Sequence, residues 1–174
     1  MRVTAVIGLI GAGLLLAGCG SGSVSGDAEP AGVAGGEPVF SPCDDIPDDA
    51  IRALGFDPAT EDRDIMGVKQ PGWNICGWMG PGPGLSVFAT TYTLDDVRGN
   101  EKNTDFQPVE LSGRSAFSYR ETSDVNRRSC DVAIGSSEGA ALISVSYLGI
   151  DPVTEDPCLI AVRATRSLVD YLPA

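Results

Sequence analysis

Four widely spaced cysteines limit the folds that this sequence can adopt. They are Cys43, Cys76, Cys130 and Cys158, and no two of them have the C-x-x-C spacing of many zinc or redox sites. An even number of such cysteines in an exported chain predicts two disulfides. Whether these cysteines form disulfides therefore depends on whether the chain is exported.

The first 18 residues have the layout of a secretory signal peptide. Arg2 supplies a positive charge, an apolar stretch follows over residues 3–17, and Asp27 is the first acidic residue. The stretch is shorter than the roughly 20 residues that a transmembrane helix needs, and its glycines weaken it as a helix. It ends in Leu16-Ala17-Gly18-Cys19, which has the pattern of a bacterial lipobox.

A lipobox predicts a covalent lipid on Cys19. In this pattern the sulfur receives a diacylglyceryl group, the chain is cleaved after Gly18, and the new amine is acylated with a chain such as palmitate. Stable anchoring needs at least two membrane signals, which a diacylated cysteine provides, because each buried methylene contributes about 0.8 kcal/mol. We therefore expect a cell-membrane protein, lipid-anchored on the extracytoplasmic face. The alternative is an odd thiol in an uncleaved signal.

Composition narrows the classes of function. The 174 residues include 24 acidic and 12 basic ones, a formal charge of −12, so nucleic acid and anionic lipid headgroups are poor electrostatic partners. The absence of histidine removes the commonest general base near neutral pH and the commonest metal ligand. We expect no cofactor, no metal site, one folded domain and a monomer.

The chain divides into three segments. Residues 1–18 form the lipoprotein signal peptide, residues 19–39 the lipidated cysteine and a flexible Gly/Ser/Pro stem, and residues 40–174 a single extracytoplasmic domain. The stem has almost no large apolar side chain to bury, which is typical of a tether. Phe40 is the first large hydrophobic residue after the stem and marks the expected start of the domain.

The expected fold class is α+β. A mostly antiparallel sheet of about five to six strands, arranged as a meander, is packed by an N-terminal and a C-terminal helix. Proline and capping patterns predict helices at 47–54, 93–102 and 156–172. Alternation of apolar and polar residues predicts strands at 73–79, 85–92, 107–111, 114–120, 129–134 and 140–148. Residues 57–64 are predicted to be an acidic loop, which matches a calcium-binding loop poorly.

The sequence allows three disulfide pairings. Position favours Cys43 with Cys158, because both stand at the start of a terminal helix. It likewise favours Cys76 with Cys130, because both occupy strand positions that are expected to face the core. The alternative pairs neighbours in sequence, Cys43 with Cys76 and Cys130 with Cys158.

Several short motifs occur in a characteristic order. They are Phe40-Ser41-Pro42-Cys43 before a helix, Cys76-Gly77-Trp78 on a strand, residues 111–116 (LSGRSA) at a turn, Cys130-Asp131-Val132, and Asp156-Pro157-Cys158 opening the last helix. Together with the lipobox and the stem, this pattern resembles the actinobacterial lipoproteins of the domain-of-unknown-function 3558 family. The resemblance covers residues 40–173 and implies a cell-envelope lipoprotein with an α+β domain. It carries over no catalytic residue, because the function of the family is unknown.

We expect a non-enzymatic binding or accessory module that takes a hydrophobic or glycan ligand or an envelope protein. Trp73 and Met79 lie beside a Gly-Pro loop and are candidate contacts, although edge packing is the simpler interpretation. Arg127 and Arg128 belong to the one local basic cluster and are candidate partner contacts of a surface inhibitor or interaction protein. Pairing with nearby acids is the simpler interpretation of these two arginines.

A carboxylate-based hydrolase is the remaining alternative. The candidate carboxylates lie in predicted loops and helix starts, and no pair among them is singled out: Asp44, Asp45, Asp48, Asp49, Glu101, Asp105, Glu110 and Glu121. Serine chemistry has no histidine to activate it. We therefore assign no catalytic residue.

Overall fold

The structure is a computed structural model that describes residues 36–111, 113–149 and 151–174. The predicted signal peptide, Cys19 and most of the predicted stem lie outside the described residues. Contacts with the domain are made from Glu37 onwards, three residues before the expected start. Glu37 forms an ion pair with Lys69 at 3.3 Å, and the Asn74 amide donates to the Pro38 carbonyl at 2.8 Å.

The helices in the described residues are short, except for the last. They are α1 (Pro42–Asp45), α2 (Asp48–Ala53), α3 (Leu94–Gly99) and α4 (Pro157–Leu168), followed by a 3-10 turn at Val169–Tyr171. The single helix expected near residue 47 is preceded by the separate turn α1. Ile46 between them is extended (φ −95°, ψ 117°), because the residue before a proline is driven out of the helical region.

The helix starts follow the predicted caps. Thr93 and Asp96 form a complete capping box at α3, with the Thr93 N–H donating to Asp96 at 2.8 Å. Asp156 caps α4 by accepting from the Cys158 N–H at 2.8 Å, and Pro157 occupies the first turn. The cap predictions for these two helices are confirmed.

The part of the chain that the structure describes contains seven strands, which form one antiparallel sheet. They are β1 (Asp57–Arg63), β2 (Trp73–Met79), β3 (Gly84–Thr90), β4 (Asn103–Pro108), β5 (Ala116–Glu121), β6 (Ser129–Ser136) and β7 (Gly139–Ser146), and their spatial order is β1-β2-β3-β7-β6-β5-β4. The strand count of five to six was too low, because β1 was predicted to be a loop. Six of the seven β1 residues are exposed, so the strand shows no apolar alternation, and charged side chains at such an edge prevent further pairing.

The sheet is not one continuous meander. β1 to β3 form a first antiparallel set, and α3 carries the chain away from β3 to the far edge. β4 to β7 then run back, so that β7 pairs with β3 along seven residues from Gly84 to Thr90. The sheet therefore has two halves joined along the β3–β7 seam.

One face of the sheet is covered by α1, α2 and α4 and forms the main core. Ala161, Ala164 and Leu168 of α4 are buried against it. Trp78 and Ile143 come from the strands beneath. At the end of α2 the Phe56 N–H donates to the Ile51 carbonyl at 3.2 Å, and both side chains belong to this core.

Two disulfides within residues 36–174 join Cys43 with Cys76 and Cys130 with Cys158. The favoured pairing was wrong, and the alternative between sequence neighbours is correct. Cys76 lies on β2 and Cys130 on β6, three strand positions apart in the sheet. Three steps of about 4.8 Å exceed the roughly 7 Å that a disulfide can span between Cα atoms. Each cysteine on a helix instead meets the strand on which its own helix packs.

A buried arginine anchors the start of α4. Arg120 on β5 is 2 % exposed, and its guanidinium donates to the Asp156 carboxylate at 2.6 Å and to the Ser129 carbonyl at 2.5 Å. Asp156 therefore serves both as the helix cap and as the partner of a buried charge. This interaction lies next to the Cys130–Cys158 bond and fixes α4 on the second half of the sheet.

Candidate functional site

The second face of the sheet is covered incompletely and carries a cleft. The α3 helix packs over Ala133 and Leu142 through Val97 and Leu94, and the rest of this face is free of helices in the described residues. The cleft has a volume of about 690 Å³ and runs beside α3 across the strands. Its lining consists of Trp73, Phe88, Tyr92, Asp95, Asp96, Val97, Gly99, Asn100, Asn103, Tyr119, Glu121, Asp131 and Leu142.

Aromatic side chains form one end of the cleft. The Trp73 ring meets Phe88 edge-on at 6.2 Å and Tyr92 at 5.7 Å between ring centroids. All three side chains are half-buried, so their rings are held by one another and remain open to solvent on one side. This end of the cleft offers an apolar surface with fixed geometry.

A second aromatic cluster supports the opposite end. Phe106 lies 5.5 Å from Phe117 and 6.0 Å from Tyr119 between ring centroids. The Arg98 guanidinium covers the Phe117 ring at 4.2 Å, which is a cation–π contact between α3 and β5. Tyr119 is buried, and desolvation together with the nearby carboxylates of Asp131 and Glu121 raises the pKa of its hydroxyl.

The carboxylate of Asp131 lies in the middle of the sheet. Its register partners are Tyr119 on β5 and Ser144 on β7, whose side chains share its face. Desolvation raises the pKa of Asp131 to about 6, and the negative charges of Glu121 and Asp124 act in the same direction. A hydrogen bond from Ser144 and the charge of Arg120 lower this pKa but do not cancel the effect of burial. A carboxylate perturbed in this way within a cleft is a candidate for function.

Trp73 and Met79 do not meet in one site. Trp73 lines the cleft, whereas Met79 is 41 % exposed and lines a separate depression with Phe56, Gly80 and Pro81. The two residues stand at opposite ends of β2, six residues apart. Six residues at about 3.4 Å each give a separation of about 20 Å.

Arg127 and Arg128 have partners within the chain. Arg127 forms an ion pair with Asp105 at 2.7 Å. Arg128 donates to three backbone carbonyls, including those of Tyr147 at 3.3 Å and Asp151 at 2.8 Å. Arg127 is therefore paired with a nearby acid, as the simpler interpretation expected, whereas the Arg128 side chain bonds to backbone carbonyls instead.

The carboxylates considered for hydrolysis are spread over the surface. Asp44 pairs with Arg63 at 2.7 Å, and this guanidinium together with the Ser41 hydroxyl lowers the pKa of Asp44 to about 2. Asp48 and Asp49 both pair with Arg52 on α2. Glu121 is the one member of the predicted set that lines the cleft, where it accompanies Asp131.

The described residues contain one group of side chains close enough to share a metal ion, namely Cys43, Glu61 and Cys76. Both sulfurs of this group belong to a disulfide, so the thiolate ligands that zinc would need are not available there. The acidic loop considered for calcium is strand β1.

A family model described as "Protein of unknown function (DUF3558)" matches residues 14–171. The chain belongs to this family. No curated protein and no solved structure matches the chain significantly. No helix among the described residues is long and apolar enough to cross a membrane.

The sequence patterns indicate Trp73 and Glu121 as candidates but not the residues at the centre of the cleft. Phe88, Tyr119 and Asp131 were assigned to strands without a functional role. The available signal was Asp131 itself, a charged residue within the apolar run of residues 130–134. A carboxylate in the middle of a central strand costs free energy unless it is paired, so its presence there indicates either a partner or a function.

Proposed function

We propose that this protein is a lipid-anchored, extracytoplasmic component of the cell envelope that binds a ligand or a partner without catalysing a reaction. The cleft beside α3 is the observation that carries the proposal. Its apolar aromatic end gives binding energy, and its polar groups give orientation, which is the usual composition of a binding site. The lipobox at Cys19 supports the proposed location in the cell envelope, as does the resemblance to actinobacterial lipoproteins.

A photocrosslinking experiment in intact envelopes tests the binding role. A photoreactive phenylalanine analogue replaces Tyr92 in the cleft or Tyr171 on the opposite side of the domain, where it is exposed. We expect adducts, analysed by mass spectrometry for protein, glycan and lipid, from position 92 and not from position 171. Equal adducts at both positions, or none at position 92, would contradict the proposed binding site.

Replacement of Cys19 tests the anchor. We expect the natural chain to fractionate with membranes and to carry the mass of a diacylglyceryl group, and Cys19→Ala to lose both properties. A Cys19→Ala chain that remains with membranes would refute lipid anchoring at this residue.

A carboxylate-based hydrolase is the second candidate function. It is favoured by one observation, the raised pKa of Asp131 in a cleft that Glu121 also lines, because acid–base pairs require carboxylates in different environments. We place it second because Glu121 is exposed and belongs to the rim of the cleft. Turnover of envelope glycans that is lost in both Glu121→Gln and Asp131→Asn would reverse this order.

A further inference from the structure

The charge of the cleft has one sign. Asp95, Asp96, Glu121 and Asp131 contribute carboxylates, and none of the described residues that line the cleft is basic. Arg98 follows closely on α3, but its guanidinium is stacked over Phe117 rather than lining the cleft. An occupant with a positive charge would therefore complement the cleft, whereas an anionic one would be repelled.

The aromatic end favours the same kind of occupant. Trp73, Phe88 and Tyr92 present an apolar surface for an aliphatic group, and the ring faces attract a cation that approaches them. Lysine and arginine side chains combine an aliphatic stem with a cationic end. Such a side chain can contact the rings along its stem and reach a carboxylate with its end.

The length of the cleft suits an extended segment. Its lining runs from Trp73 on β2 through β3, β7 and β6 to Glu121 on β5. Four strand spacings of about 4.8 Å give about 19 Å, the length of roughly six extended residues. Residues 20–35 of this chain contain Asp27 and Glu29 and no basic residue, so the stem does not supply the complementary charge.

We infer that the cleft binds an extended basic segment of a partner protein, in which a lysine or arginine side chain faces Asp131 and Glu121 while an apolar side chain packs against Trp73. This inference rests on the proposed binding function and specifies its occupant. A basic segment inside the acidic cleft also explains how this strongly acidic protein selects a partner. The electrostatic attraction increases the association rate, and the aromatic end selects for an apolar neighbour of the basic residue.

Tryptophan fluorescence of the full chain measures the binding. Trp73 lines the cleft, whereas Trp78 is 2 % exposed in the opposite core, so a titration signal reports on Trp73. The probes are a set of capped peptides of about six residues. Each peptide has one leucine and one lysine in a glycine–serine background, and the set covers every pair of positions for these two residues. We expect at least one of these peptides to bind with saturation. Acetylation of its lysine, which removes the charge, should weaken binding about tenfold.

Variants of the cleft locate the charge. Glu121→Gln and Asp131→Asn should each weaken binding of the lysine peptide about tenfold and leave the affinity for the acetyl-lysine peptide unchanged. Asp170→Asn, which changes an exposed carboxylate outside the cleft, should have no effect. Unfolding midpoints measured on the same samples show that each variant is folded.

Three results would overturn the inference. These are saturation by none of the peptides, equal affinity for the lysine and acetyl-lysine peptides, and an affinity that Asp131→Asn and Glu121→Gln leave unchanged. A glycan or lipid adduct at position 92, together with a failure of all basic peptides, would refute the basic segment and retain the proposed binding function. Absence of any adduct at position 92 would refute the proposed function itself.

Discussion

Neutralising Asp131 should make the protein more stable above about pH 6 and leave its stability nearly unchanged below about pH 4. The carboxyl is drawn out of water between Tyr119 and Ser144, and this desolvation raises its pKa from 3.8 to about 6. A pKa raised by folding means that the folded state binds the proton more tightly than the unfolded chain. The contribution to stability is therefore complete below pH 3.8 and is lost as the pH rises through 6.

The magnitude follows from the same difference. One tenfold change in proton affinity corresponds to about 1.4 kcal/mol, so the change from 3.8 to about 6 corresponds to about 3 kcal/mol of destabilisation by ionised Asp131 at neutral pH. Asp131→Asn retains the shape of the side chain and removes the charge. We expect it to raise the free energy of unfolding by about 3 kcal/mol at about pH 7.5.

Urea unfolding at several pH values measures this effect, with the fluorescence of buried Trp78 as the signal. At each pH, the free energy of unfolding of the natural chain is subtracted from that of Asp131→Asn. The difference isolates Asp131, because the lowered pKa values of Asp44 and Glu155 affect the stability of both proteins equally. Asp170→Asn is the matched surface control. A difference that does not change between about pH 4 and about pH 7.5 would refute the reasoning.

Three further predictions concern stability. Replacing Cys43 and Cys76 by serine should cost about 4 kcal/mol, the chain entropy of a loop with a sequence separation of 33, as measured by urea unfolding. Asp156→Ala should cost about 3 kcal/mol in the same assay, because it removes the α4 cap and leaves the Arg120 guanidinium buried without its partner. Gly139→Ala should cost about 3 kcal/mol or more of stability and should therefore lower the thermal midpoint strongly. Residue 139 has a φ of +142°, and its new Cβ would lie 2.2 Å from a backbone oxygen.

Each of these predictions has a matched comparison. Serine at Cys130 and Cys158 should cost a similar amount, and a loss confined to one pair would contradict the chain-entropy account. Asp156→Asn keeps a capping side chain and should cost less than Asp156→Ala; equal losses would show that the cap contributes nothing. Gly113→Ala has positive φ but no atom within 4 Å of its Cβ, so a loss as large as that of Gly139→Ala would argue against the steric cause.

Local patterns predicted the strands and helices whose stability depends on burial. Residues 73–79 alternate because Cys76 and Trp78 of β2 face the main core, and Asp156 precedes a helix because its carboxylate satisfies a free backbone N–H. Strand β1 was missed because its stability does not depend on the burial of its side chains. Its hydrogen bonds to β2 create the strand, and the exposed, charged side chains of residues 57–63 leave no trace of this pairing in the sequence.

The disulfides and the cleft depend on contacts that sequence spacing does not encode. The cysteine pairing is decided by the strand on which each helix packs, and the prediction assumed that the two terminal helices meet. The cleft depends on the insertion of β7 beside β3, which brings Phe88 near Asp131 across a separation of more than forty residues. Trp73 was a candidate as part of an aromatic rim beside the Gly-Pro loop, whereas Asp131 was visible in the sequence as a charge within an apolar run, and only the fold shows that it lines a cleft.

The arrangement of the sheet has a consequence for chain cleavage. Cys43–Cys76 closes a loop within the first half, Cys130–Cys158 closes one within the second, and no disulfide between described residues crosses the β3–β7 seam. A proteolytic cut between residues 91 and 102 would therefore produce two fragments, each covalently closed, which only strand pairing and shared packing hold together. The cleft spans the seam, since Phe88 belongs to one half and Leu142 to the other. An occupant of the cleft would contact both halves and would therefore keep such fragments associated.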